Sequence, residues 1–129
     1  MVRSQPLIAV SDVEVSSRWY RTLLGCKGDD AGHGYCRLEA DGNLILQLHE
    51  FGVDHHHGPI GDPLQKPYGN GVLVWFEVDD FDVIMQRVAA MNAEIIMPKH
   101  RNPAPNHWEC WLRDPDGYSV VIASPDNTA

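Results

Sequence analysis

The sequence predicts an α+β fold made of one β-α-β-β unit written twice. Two observations carry this expectation. The stretch His107–Ala123 reads as a β-hairpin, with residues alternating up to Arg113 and a β-branched, apolar return strand from Tyr118. Asp114-Pro115-Asp116-Gly117 supplies its turn, because Pro presets φ and Gly accepts a positive φ. A similar run of strand, capped helix and hairpin also occurs in the first half of the chain.

Taken in order, Gln5–Val10 is a short strand leading into Ser11. Ser11 is a good N-cap, and Glu14 three residues later completes a capping box. The helix runs to about Leu24, with Trp19, Tyr20, Leu23 and Leu24 as its apolar stripe and Gly25 as its stop. Gly28–Gly34 is a loop. Tyr35–Glu39 and Leu44–His49 are strands, and the Asp41-Gly42 pair between them is a hairpin signal. Glu50–Asn70 holds four Gly, three Pro and three consecutive His without any period, and separates the halves.

Gly71–Val78 is then a strongly apolar strand. Asp79 or Asp80 caps a second helix, whose stripe is Phe81, Ile84, Val88 and Met91, with Asn92 as its left-handed stop. Ala93–Met97 is a strand, and Pro98–Asn106 is a Pro-rich loop before the hairpin. Val10–Val13 falls on Val78–Phe81 (78 − 10 = 68), and Cys36–Leu38 falls on Cys110–Leu112 (110 − 36 = 74). The two offsets differ because the connecting loops differ in length. The expected organisation is a single domain, with unit one over about 1–50, a linker over about 51–70 and unit two over about 71–129.

A chain of 129 residues is long enough to bury a core. Eighteen acidic residues against ten basic ones give a formal charge of −8, which argues against nucleic acid as a partner. The surplus suits a neutral or cationic small ligand. Cys26, Cys36 and Cys110 are an odd count at no metal-like spacing, and Cys36 and Cys110 sit in apolar alternation as buried thiols. The N-terminus lacks the apolar run of a signal peptide and no stretch is long enough to span a membrane. A cytoplasmic protein with no membrane partner is the expectation.

The segment Arg113-Asp114-Pro115-Asp116-Gly117-Tyr118 between two strands resembles the last hairpin of the vicinal oxygen chelate superfamily. That superfamily includes glyoxalase I, bleomycin- and fosfomycin-resistance proteins and extradiol dioxygenases. With the duplication, the resemblance covers nearly the whole chain. It implies that each unit makes half of a curled mixed sheet around a pocket, with the helices outside, and that the protein forms a homodimer. It also implies a metal held from the first and last strands of each unit. Carried over residue by residue, those four positions fall on Gln5, Gln47, Leu73 and Val121. Leu73 and Val121 offer no donor, and the Gln carbonyls are poor ligands where His or carboxylate is wanted. No metal is therefore expected there, and no other cofactor.

Alternation places Leu73, Trp75 and Glu77 on one strand face, opposite Val74, Phe76 and Val78, which should meet the helices. Ile45, Gln47 and His49 share a face, as do His107, Glu109, Trp111 and Arg113. The ligand-binding candidates are accordingly Gln47, His49, Trp75, Glu77 and Trp111, each of which also has a plain structural or solvated reading. His107 and Glu109 are the candidate acid–base pair. Asp54-His55-His56-His57 could bind metal or simply hydrate, and His100 and Arg101 are candidate lid residues in the Pro-rich loop. No Gly-rich phosphate loop, nucleophile elbow, CxxC or HExxH motif is present.

Three functions follow. The first is a small-molecule-binding protein like the bleomycin-resistance branch, without the usual metal and with its ligand held between Trp walls. The second is a lyase, isomerase or dioxygenase-like enzyme with a non-standard site of His49, His107 and Glu109, which could include a divalent metal. The third is a structural or regulatory dimer with a vestigial pocket.

Overall fold

The first unit runs β1 (Leu7–Val10), α1 (Val13–Leu24), β2 (Lys27–Gly28), β3 (Tyr35–Ala40) and β4 (Asn43–Glu50). The second runs β5 (Leu73–Glu77), α2 (Phe81–Ala90), β6 (Glu94–Asn102), β7 (His107–Arg113) and β8 (Ser119–Ala123). The computed structural model describes residues 1–29, 32–53 and 57–128. It divides into two compact units, Met1–Lys66 and Pro67–Ala129. The α+β class and the repeat stand, and each unit has the order β-α-β-β-β.

Each unit forms a four-stranded mixed sheet, in the order β1-β4-β3-β2 in the first and β5-β8-β7-β6 in the second. The first and last strands of each unit pair in parallel, and the other pairs are antiparallel. The two registers are copies. Leu7 lies opposite Gln47 in one sheet and Trp75 opposite Val121 in the other, at the offsets of 68 (75 − 7) and 74 (121 − 47). Cys36 opposite Leu48 likewise becomes Cys110 opposite Ile122, both at 74 (110 − 36 and 122 − 48).

One face of each sheet is core. In the first unit α1 packs on β2, β3 and β4, with Tyr20, Leu23, Cys36, Leu38, Leu46 and Leu48 fully buried. In the second, Val74, Phe76, Phe81, Ile84, Val88, Cys110, Leu112, Val120 and Ile122 are buried, and α2 meets β8. Gly28 lets β2 approach α1, since a Cβ there would stand 2.8 Å from Ser17 Oγ.

The caps are partly as expected. Asp12 caps α1 in place of Ser11: its backbone is extended and its carboxylate accepts from Glu14 N at 2.9 Å and Val15 N at 3.2 Å. A helix starting at Val13 puts Asp12, not Ser11, within reach of those amides. Asp80 caps α2 by accepting from Val83 N at 3.2 Å. Gly25 and Asn92 both take the left-handed conformation that ends a helix, and Asp41 and Gly42 both have the positive φ of a tight hairpin turn.

Two stretches expected to be loops carry strand. Gly28, at the start of the expected loop, joins Lys27 in pairing with β3, and β6 continues through Pro98 to Asn102. A proline is tolerated there because β6 is the sheet edge and its register shifts between Met97 and His100, so no ladder N–H is missed. His100 and Arg101 are therefore strand residues rather than a lid, and Arg101 Nε donates to Asn106 Oδ1 at 2.9 Å.

The three thiols are free, and burial pushes each above its ordinary range. Since the thiolate is the nucleophile, Cys36 and Cys110 should resist alkylation at pH 8 until urea unfolds the protein. Mass spectrometry of the modified sites checks this. Asp12→Ala should lower stability by about 1 kcal/mol while Ser11→Ala stays within about half of that, read from urea unfolding midpoints.

Candidate functional site

The face of the β5-β8-β7-β6 sheet turned away from α2 carries the polar and aromatic residues. Strand pairing sets Trp75, Val121, Trp111 and Met97 in one row across four strands. The next row holds Glu77, Ala123, Glu109 and His100. Trp75 is 45% exposed and Leu73 beside it is 40% exposed. Glu77 is exposed at the end of β5, two strands away from Glu109 along its row.

Glu109 is the centre of this face. It is a carboxylate only 3% exposed, and His107 is only 2% exposed. His107 Nε2 stands 3.1 Å from Glu109 Oε1, and His100 Nε2 stands 3.2 Å from Oε2. Asn102 Nδ2 donates weakly to both oxygens at 3.4 and 3.5 Å. Although His107 Nε2 is close to Glu109, it is poorly aligned for a hydrogen bond, and it has no hydrogen-bond partner among the described residues. Its Nδ1 lies 3.3 Å from the exposed carboxylate of Asp126. The result is an alternating chain of Asp126, His107, Glu109 and His100. Water is nearly excluded from its middle, where a charge without good hydrogen bonds is costly.

The aromatic groups sit close to this chain. The Trp75 ring is 5.9 Å from that of His107. Trp111 is half-buried, and its buried indole N–H has no hydrogen-bond partner among the described residues. Arg113 turns away from the cluster to its own turn, donating from Nη1 to Gly117 O at 3.1 Å. That turn forms as expected. Asp114 Oδ1 accepts from Asp116 N and Tyr118 N, each at 2.9 Å, and Gly117 has φ 89.

In the first unit, Gln47 and His49 share the corresponding face of β4, with Tyr35 and Arg37 opposite them on β3. Both ends of the Gln47 amide are engaged within the unit: its Oε1 accepts from Tyr35 O–H and its Nε2 donates to Gln5 O at 3.0 Å. His49 is buried. Its Nδ1 meets Glu50 O at 2.8 Å, and its Nε2 meets His57 Nε2 at 3.2 Å. His57 is exposed, with Nδ1 at 2.6 Å from Gly58 O. Asp54, His55 and His56 lie outside the described residues. A cleft of about 470 Å³ lies elsewhere in this unit, lined by Leu24, Cys26, Lys27, Glu39 and Asp41 among others.

The model of the Glyoxalase/Bleomycin resistance protein/Dioxygenase superfamily matches residues 4–122. The chain belongs to this superfamily. Solved structures agree on the fold. A protein of unknown function from Agrobacterium tumefaciens str. C58 is 26% identical, with 97% of this chain and 94% of that one covered at a TM-score of 0.76. A glyoxylase/bleomycin resistance protein/dioxygenase domain from Frankia sp. EAN1pec is 24% identical, over 100% and 94%, at 0.69. A lactoylglutathione lyase from Agrobacterium tumefaciens is 17% identical, over 95% and 92%, at 0.69. No curated protein matches the chain.

The superfamily's metal positions do not fit a metal in this chain. Gln47 has both ends of its amide engaged, and Gln5 is exposed before β1. Leu73 and Val121 are hydrocarbon, and Val121 is fully buried. Sequence reading singled out His107, Glu109 and His49 but not what surrounds them. Reading Pro98 as the start of a loop hid the parity that aims His100 and Asn102 at Glu109. Asp126 lies beyond the last strand, where no periodicity reaches.

Removing His107 leaves Glu109 buried with less compensation. His107→Ala should therefore cost about 3 kcal/mol in urea unfolding, and adding Glu109→Gln in that background should restore more than half. Equal losses in the single and double variants would contradict a coupled pair.

Proposed function

We propose that this chain is a small-molecule-binding member of the superfamily that works without a metal at the superfamily's usual positions. The observation that carries the reading is the donor set. Two of the four positions are hydrocarbon, and the Gln47 amide is already spent on Tyr35 and Gln5. The ligand would rest on the β5-β8-β7-β6 face, stacking on Trp75 and Trp111. Asn102 and the partly exposed His100 would read its polar edge. The formal charge of −8 favours a neutral or cationic compound over an anion. A homodimer, implied by the family resemblance, and a cytoplasmic location, supported by three free thiols, complete the reading.

A second reading is a lyase or isomerase that uses Glu109 and His100 for metal-independent proton transfer. One observation favours it: a buried carboxylate between two imidazoles with poor hydrogen bonds is an expensive arrangement to keep for packing alone.

Calorimetric titration with a panel of planar aromatic cations and their neutral isosteres tests the binding reading. At least one compound should bind, with affinity falling tenfold or more in Trp75→Ala. If no compound binds, or if Trp75→Ala leaves affinity unchanged, the proposed site is wrong. Turnover of a bound compound that is lost in Glu109→Gln while binding persists would favour the enzyme.

A further inference from the structure

We propose that residues 125–128, which follow β8, form a strap that shuts His107 away from solvent and opens without unfolding the sheet. The end of the ladder sets where the strap begins. Ser124 N donates to Trp108 O at 2.9 Å, and Trp108 N donates to Ser124 Oγ at 2.9 Å, so Ser124 is still fastened to β7. Past Ser124 the strand pairing stops and the chain turns back over the start of β7. Asn127 takes φ 62, a conformation that Asn accepts better than most residues, and Thr128 Oγ1 donates to Pro125 O across the turn.

The turn reaches β7 and the residues before it through three contacts. Asp126 Oδ1 lies 3.3 Å from His107 Nδ1, Asn127 N donates to Pro105 O at 3.4 Å, and Thr128 N donates to Asn106 O at 3.1 Å. His107 is the first residue of β7, at the end of the sheet, yet it is only 2% exposed. The hold on the strap is light. Asp126 and Asn127 are exposed and Pro125 and Thr128 are half-buried, so little apolar surface is hidden there. A segment kept in place by a few solvent-facing hydrogen bonds opens far more readily than a sheet core. The preceding strand β8, with Val120, Val121 and Ile122 fully buried, has no such freedom. Opening withdraws Asp126 and lets water, or a polar group of a ligand, reach the His107 ring, which stands 5.9 Å from that of Trp75. The strap thereby controls when the buried His107–Glu109 pair is accessible. This goes beyond the ligand reading, since it rests on the contacts of the C-terminal turn and not on what the sheet face binds.

The test is timed labelling of the full chain at fixed pH with diethyl pyrocarbonate, which acylates an accessible imidazole nitrogen, read site by site by mass spectrometry. Asn127→Pro removes the N–H that bonds Pro105 O and forbids the positive φ, so His107 should label roughly tenfold faster than in the wild type or more. Asn127→Gly keeps both the N–H and the positive φ, and its His107 should stay within roughly threefold of the wild-type rate. An unchanged rate in Asn127→Pro overturns the strap, and so does an equal acceleration in Asn127→Gly. Amide hydrogen exchange of the wild type separates a strap from a general loosening of the sheet by proline. The opening that admits label to His107 should match the one that exposes the Thr128 amide, and be roughly a hundredfold more frequent than the one that exposes the Val120 amide. A His107 that becomes accessible only as rarely as Val120 defeats the proposal whatever the variants do. Failure here leaves the ligand reading intact, and failure of that reading leaves the strap intact, because no ligand enters this experiment.

Discussion

The parallel pairing of the first and last strand in each unit is the constraint on which everything else in that unit depends. Side chains alternate with a period of two, so a slip of one residue would turn every side chain to the other face. Leu7 opposite Gln47 and Trp75 opposite Val121 hold that register in the two units. With it held, Leu46 and Leu48, or Val120 and Ile122, meet their helix, and the alternate residues are sent to the other face. In the first unit the hydrophobic effect selects this register, since the opposite one would turn the fully buried Leu46 and Leu48 away from their helix, at about 1.5–3 kcal/mol for each side chain left exposed.

That division explains why one face can hold chemistry. The helix-facing side carries most of the apolar burial, although Val121 and Ala123 are buried on the other side. The other side can then carry a costly group such as Glu109, whose oxygens receive two loosely aligned imidazoles and a long amide contact instead of strong hydrogen bonds. Stability is supplied on one face and spent on the other.

Much of this was legible in the chain because it rests on local rules. The Asp-Pro-Asp-Gly turn, the Asp41-Gly42 hairpin, the helical stripes and the Cys36 and Cys110 parity each follow from spacing and backbone preference, and the duplication tied them into one architecture. What escaped notice depends on tertiary placement. Ser11 and Asp12 are both good caps, and only the helix start at Val13 chooses between them. Pro98 reads as a strand breaker until β6 is known to be an edge. The partners of Glu109, His107 and His49 include residues from β6, from beyond β8 and from the long connection after β4, and no period links those places to the residues they meet.

The two halves share a register but have placed their polar groups on different strands. His49 on β4 lies opposite Tyr35 on β3, and the equivalent pair in the second unit is Ala123 opposite Glu109. The exchange is complementary. Where the last strand carries the imidazole, the neighbouring strand offers a phenol ring 6.3 Å away, and His49 meets a second imidazole from the connection after β4. Where the neighbouring strand carries the carboxylate, the last strand keeps only a methyl group, so that position competes neither for space nor for hydrogen bonds with the histidines flanking Glu109. A backbone duplicated in this way presents equivalent positions on both sheets. In the second unit the small Ala123 leaves room for Glu109, whereas in the first the large Tyr35 itself becomes a ring neighbour of His49.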